Sequence, residues 1–182
     1  VISHEYRCIF IHQRKCAGTS IIRAFGIEPP SPDSHYGNDG ALGRDVQDWP
    51  DGYRVFSVVR NPWDRFVSGW KYLPTLRDKS LREVLADLPT EGHDYRHLTR
   101  PQSAILFDDS GRPVFHELLR FETLQADFDR LCDRLGKPRT ALPRAKASKH
   151  DDYRTYYDER TRDAVGDLFL QDVVNFDYAF EG

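Results

Sequence analysis

In the segment FIHQRKCAGTSI, Phe10 to Ile21, a lysine and two hydroxyl side chains surround a glycine where one apolar run gives way to another. A strand, the loop HQRKCAGTS and a helix from about Thr19 to Phe25 fit this pattern. Free backbone N–H groups at the helix start would then converge with Lys15, Thr19 and Ser20 on one point beyond the strand end. Such a point attracts phosphate or sulfate. The same spacing also suits an ordinary strand-to-helix turn with a surface lysine. It departs from the nucleotide-binding pattern G-x-x-x-x-G-K-[ST], because Lys15 precedes Gly18.

A second stretch, VVRNPWDRFVSGW from Val58 to Trp70, offers a cation and a hydroxyl at a similar junction. Asn61 is a good N-cap and Pro62 a favoured first helical residue, so a helix should follow directly, with Arg60 at its mouth. Projection at about 100° per residue puts Trp63, Phe66, Val67 and Trp70 on one side and Arg65, Ser68 and Tyr72 on the other. A plain surface helix with Arg65 solvated is one reading. A guanidinium at the strand end and a hydroxyl about two turns into the helix could also both reach one phosphate.

The elements that must position these residues alternate, which favours an α/β domain with helices packed on a parallel sheet. Cys8-Ile9-Phe10-Ile11 and Val55-Phe56-Ser57-Val58-Val59 are short, nearly continuous apolar runs of the kind found in buried parallel strands. Ser80 and Glu83 make a capping box ahead of Leu81, Val84, Leu85 and Leu88. Leu124, Phe128, Leu131 and Leu135 repeat at helical spacing before Gly136, and Val165, Leu168 and Phe169 do so after an Asp158 cap. Pro113 to Phe121 reads as a strand, although its Leu-Leu pair and charges suit a helix nearly as well. Gly and Pro cluster between Gly26 and Gly52, as in one long loop rather than a linker. With 182 residues, 39% of them hydrophobic, one domain is expected.

A net charge of -3 argues against a protein that wraps nucleic acid. Cys8, Cys16 and Cys132 are an odd count without zinc-ligand spacing, which suggests neither a disulfide framework nor a metal site. There is no apolar run of membrane-spanning length and no signal-peptide pattern.

Taken together, Lys15-Cys16-Ala17-Gly18-Thr19-Ser20 and Arg60-Asn61-Pro62-Trp63-Asp64-Arg65-Phe66-Val67-Ser68 resemble, in order, the two nucleotide-binding segments of sulfotransferases that use 3'-phosphoadenosine-5'-phosphosulfate (PAPS), in particular the carbohydrate-type branch. RFETLQADFDRLCDRLG, LPRAKAS and YRTYYDERTRDAVGDLFLQDVVNFDY look like the rest of such a domain. The resemblance implies a single sulfotransferase domain of P-loop-like architecture. Its first loop, Arg14, Lys15, Cys16, Ala17, Gly18, Thr19 and Ser20, would hold the 5'-phosphosulfate. Arg60 and Ser68 would hold the 3'-phosphate, and Ser148 in the later loop would reach the nucleotide as well.

Within that resemblance Lys15 is the expected catalytic cation, and no metal is required. A hydroxyl acceptor also needs a base, and histidine titrates nearest neutrality. His35 in PDSHYGNDG lies where carbohydrate-type relatives often carry a histidine facing the transferred group, with His93 or His97 as substitutes. His12 is expected to serve the turn, and His4, His116 and His150 to be peripheral or structural. The Pro-rich loop from Ile27 to Asp51 and the segment from Lys71 to Arg100, with Tyr72, His93, Tyr95 and His97, are expected to border the open side of the site, where a carbohydrate or small hydroxylated acceptor, or alternatively an amine, would enter. Two other functions fit parts of the pattern: a noncatalytic module that binds the nucleotide or a sulfated glycan, and a kinase-like phosphotransferase. The absence of an anchor, of an N-x-[ST] site and of paired cysteines points to a cytoplasmic protein.

Overall fold

Four strands lie in chain order in one sheet: Ile2–Ser3 (β1), Cys8–Ile11 (β2), Arg54–Val59 (β3) and Glu117–Arg120 (β4). The computed structural model describes residues 1–26, 49–143 and 151–181. β2, β3 and β4 are parallel, with Cys8 opposite Arg54 and Phe56 opposite Glu117. β1 runs antiparallel to β2, with Ile2 opposite Ile9. The sheet is therefore mixed, not wholly parallel. β1 escapes a periodicity argument because two residues carry no period.

The eight α-helices of the described residues are Gly18–Ala24 (α1), Pro62–Tyr72 (α2), Leu81–Ala86 (α3), Gly92–Leu98 (α4), Ser103–Leu106 (α5), Leu124–Leu135 (α6), Glu159–Leu168 (α7) and Leu170–Phe176 (α8). The chain forms two units: Val1–Val59 with Ala104–Lys146, and Arg60–Ser103 with Ala147–Gly182.

In the first unit β2 is buried at every position, and α1 and α6 supply Ile21, Ile22, Phe128, Leu131 and Cys132 to its apolar core. Gly136 ends α6 with φ 65°, a left-handed cap that glycine adopts without steric penalty. Glu117 on edge strand β4 accepts from Arg54 at 2.8 Å and from Arg134 at 2.5 Å, placing charge along an edge that would otherwise invite pairing. Cys8, Cys16 and Cys132 are all buried thiols, and burial pushes Cys8 up to about 12.

The second unit is helical and is built around α2. Asn61 Oδ1 accepts from the backbone N–H of Trp63 at 3.1 Å and of Asp64 at 3.5 Å, and Pro62 opens the first turn, as the sequence suggests. Ser80 with Glu83 and Asp158 with Thr161 form capping boxes at α3 and α7. Trp63, Phe66, Val67 and Trp70 pack with Leu81, Val84, Leu98, Val165 and Phe169 in the core of this unit.

α2 departs from the amphipathic expectation, because it is buried nearly all round. Arg65 is only 2% exposed: its Nη2 donates to the Arg100 carbonyl at 2.7 Å, and the guanidinium lies 4.9 Å from the centre of the Phe169 ring. Helices α4 and α7 both pack on α2. On the α4 side a methyl group at Gly69 would come within 2.5 Å of the His97 carbonyl oxygen, so the two helices approach as closely as glycine allows. No helix of the described residues is long and apolar enough to cross a membrane.

Candidate functional site

The loop from His12 to Ala17 leaves the C-terminal end of β2 and enters α1. Ser57 Oγ on β3 donates to the Ile11 carbonyl at 2.7 Å, which pins the strand end from which the loop departs. The loop then turns left-handed twice without using glycine: Lys15 has φ 64° and Ala17 φ 56°. Such conformations cost roughly 1–2 kcal/mol each for residues with a Cβ. Left-handed residues interleaved with ordinary ones turn successive N–H groups toward a common side, the concave arrangement that binds anions. Ala17 is also the N-cap of α1, with no side-chain cap bond, so its backbone sets the geometry of the helix mouth.

Gly18 has a different use. It is the first residue of α1, and a methyl group there would overlap the His12 ring. That ring is buried and stacks on Phe10 with centroids 5.7 Å apart and planes 24° apart. His12 thus serves the turn, as expected. The loop side chains divide by burial: Arg14, Lys15, Ala17 and Thr19 are half-buried, while Cys16, Gly18 and Ser20 are buried. The Cys16 thiol donates to the Arg14 carbonyl at 3.4 Å and belongs to the core, so only its backbone is placed to meet a ligand.

In the second unit Arg60 precedes the Asn61 cap of α2. Its Nε donates to Asp64 Oδ2 at 2.7 Å, and the residue is only 6% exposed. An anion at Arg60 must therefore share the guanidinium with a carboxylate one turn along the helix. Ser68 lies two turns further on with no exposed surface. Sequence reasoning missed what holds Arg60. Gln102 Oε1 accepts from the Arg60 N–H at 2.9 Å and its Nε2 donates to the Arg60 carbonyl at 3.0 Å. One signal was available for the residue behind it: Phe169, Asp172 and Phe176 share a helical face at i, i+3 and i+7, which places a carboxylate on a buried stripe.

His93 and His97 sit on α4. His97 is buried, and its Nδ1 lies 2.9 Å from the His93 carbonyl; because a carbonyl can only accept, this nitrogen carries the proton. His93 lies tilted against His97, with ring centres 4.1 Å apart, and His97 stacks on Tyr72 at 5.3 Å. His93 Nδ1 lies 3.1 Å from Asp94 Oδ1, and Thr75 Oγ1 donates to Asp94 Oδ2 at 2.7 Å. The Thr75 bond, then His93, holds the Asp94 carboxyl below the usual carboxylate range. Tyr72 and His93 are the exposed ends of this group, with His97 buried between them. His4 pairs with the Tyr53 hydroxyl, and His116 Nδ1 accepts from the Val55 N–H at 2.9 Å; both are structural. His35, Ser148 and His150 lie outside the described residues.

Compared with protein-family models, with curated proteins and with solved structures, the chain matches none.

Proposed function

We propose that this protein is a sulfotransferase that moves the sulfuryl group of PAPS to a hydroxyl acceptor, a carbohydrate or a small hydroxylated metabolite. The observation that carries the reading is the Lys15 loop: two left-handed non-glycine residues, one of them the lysine itself, set between the end of a parallel strand and the start of a helix. Two such residues so close together, just beyond a strand end, suit a site where N–H direction matters more than local comfort; Arg7 and Asp177 share the conformation singly. On this reading the segment is a P-loop-like phosphosulfate cradle that reaches its shape without the usual glycines.

PAPS supplies an activated sulfuryl group whose departure leaves negative charge on the bridging phosphate oxygen. Lys15 stabilises that charge with a fixed cation, and the loop amides with the Thr19 hydroxyl orient the non-bridging oxygens. Arg60 and Ser68 are assigned to the 3'-phosphate, and Ser148 to the same nucleotide, by resemblance. His35 is assigned as the base that removes the acceptor proton. The protein is assigned to the cytoplasm.

Calorimetry with 3'-phosphoadenosine-5'-phosphate (PAP), adenosine 5'-phosphate and ATP with Mg2+ tests the donor. Charge-assisted hydrogen bonds of roughly 1.5–3 kcal/mol each imply that PAP binds about a hundredfold tighter than adenosine 5'-phosphate. Tighter binding of ATP with Mg2+ than of PAP would overturn the reading in favour of phosphoryl transfer.

A further inference from the structure

Arg60 stands outside regular structure, one residue ahead of the Asn61 cap, so no bond of the α2 ladder fixes its backbone. Gln102 supplies what the ladder does not. Its side-chain amide pairs with both main-chain groups of Arg60, accepting from the N–H at 2.9 Å and donating to the carbonyl at 3.0 Å, as a neighbouring strand would. Gln102 has no exposed surface and is itself held by Asp172. Asp172 Oδ2 accepts from the Gln102 backbone N–H at 2.8 Å and from its Nε2 at 3.4 Å. Asp172 Oδ1 accepts from the Ser103 N–H at 2.7 Å and from its hydroxyl at 2.6 Å. Because the carboxylate can only accept, it fixes which end of the Gln102 amide is nitrogen.

We propose that Gln102, locked by the buried Asp172, is a positioning residue for Arg60 that sets how strongly the protein distinguishes a nucleotide with a 3'-phosphate from one without it. The proposal rests on the assignment of Arg60 to that phosphate. A guanidinium fork rewards correct placement, since its planar donors match a phosphate only from a narrow range of directions. Arg60 is held at two points: Asp64 takes Nε and Gln102 fixes the peptide. With the clamp gone, the arginine keeps its charge and loses its preorganisation, so affinity falls for the ligand part that it addresses.

The test compares dissociation constants of PAP and adenosine 5'-phosphate by calorimetry for the unsubstituted protein and for Gln102→Met, which keeps the volume and removes both bonds to Arg60. The unsubstituted protein should prefer PAP about a hundredfold, and Gln102→Met should cut that preference to roughly tenfold, with adenosine 5'-phosphate bound as before. No preference in the unsubstituted protein overturns the donor assignment and the clamp with it. A preference that survives intact in Gln102→Met overturns the clamp alone. If Gln102→Met does not fold, amide exchange on the unsubstituted protein decides. PAP, and not adenosine 5'-phosphate, should slow exchange at the Arg60 N–H; equal slowing by both, or by neither, overturns the proposal.

Discussion

The Lys15 loop and the Arg60 turn each offer a cation beside a helix start, yet they are shaped by different means. Around Lys15 the backbone does the shaping: φ values of 64° and 56° at Lys15 and Ala17 turn the chain, and the side chains of Arg14, Lys15 and Thr19 stay half-buried. Around Arg60 side chains do it. Gln102, Asp64 and Asp172 hold a residue only 6% exposed, and Ser68 is covered altogether. A loop shaped by its own backbone tolerates changes in its neighbours and fails when its few residues change. A turn held by a distant network fails through residues far away in sequence.

The largest expected effect lies in the loop. Lys15→Ala should lower turnover roughly 10²- to 10³-fold, the usual scale for losing one transition-state charge partner, and leave much of the affinity for PAP. Steady-state rates beside calorimetry on that variant check it, and near-normal turnover would remove Lys15 from the mechanism. Arg60→Ala should act on binding instead, bringing PAP to within a few-fold of adenosine 5'-phosphate, a loss of about a hundredfold. If Arg60→Ala lowered affinity for both nucleotides alike, its role would be general attraction and not recognition of the 3'-phosphate.

Two smaller effects separate recognition from support. Arg65 has the same charge as Arg60 and lies just beyond it, inside α2, but it faces Arg100 and Phe169. Arg65→Met should destabilise the fold by about 1–3 kcal/mol through the unsatisfied Arg100 carbonyl and leave the preference for PAP unchanged. Chemical denaturation and calorimetry on the same preparation distinguish the two roles. At α7, a hydrogen bond from Arg82, then the Thr161 cap bonds, holds the Asp158 carboxyl well below the usual carboxylate range. A depressed carboxyl adds stability above its unfolded pKa and loses it as pH falls through its folded pKa, so Asp158→Asn should flatten the most acidic part of the stability profile. An unchanged acid limb would mean that this exposed pair contributes nothing measurable.

The difference between the two regions also explains what could be read in advance. β2, β3, α3, α6 and α7 follow from apolar period and caps, because burial and capping are local demands written in adjacent residues. The Lys15 loop was legible as a strand-to-helix junction from residue types, but its left-handed turns were not, since neither Lys15 nor Ala17 favours that conformation. The burial of Arg65 and Ser68 was not legible either. A helical projection separates two faces and says nothing about a second layer covering the polar one, which here includes α4. Gln102 and Asp172 stand 42 and 112 positions after Arg60, so only the tertiary fold brings them together.

Sulfuryl transfer itself gives the most direct test. Sulfur-labelled PAPS, incubated with the protein and a panel of sugar and small-molecule hydroxyl acceptors, should pass its label to an acceptor without ATP or Mg2+, and Lys15→Ala should slow that transfer roughly 10²- to 10³-fold. Label retained on PAPS across the panel while PAP binds tightly would contradict the account and leave a nucleotide-binding module. Transfer from ATP with Mg2+ and none from PAPS would contradict it outright.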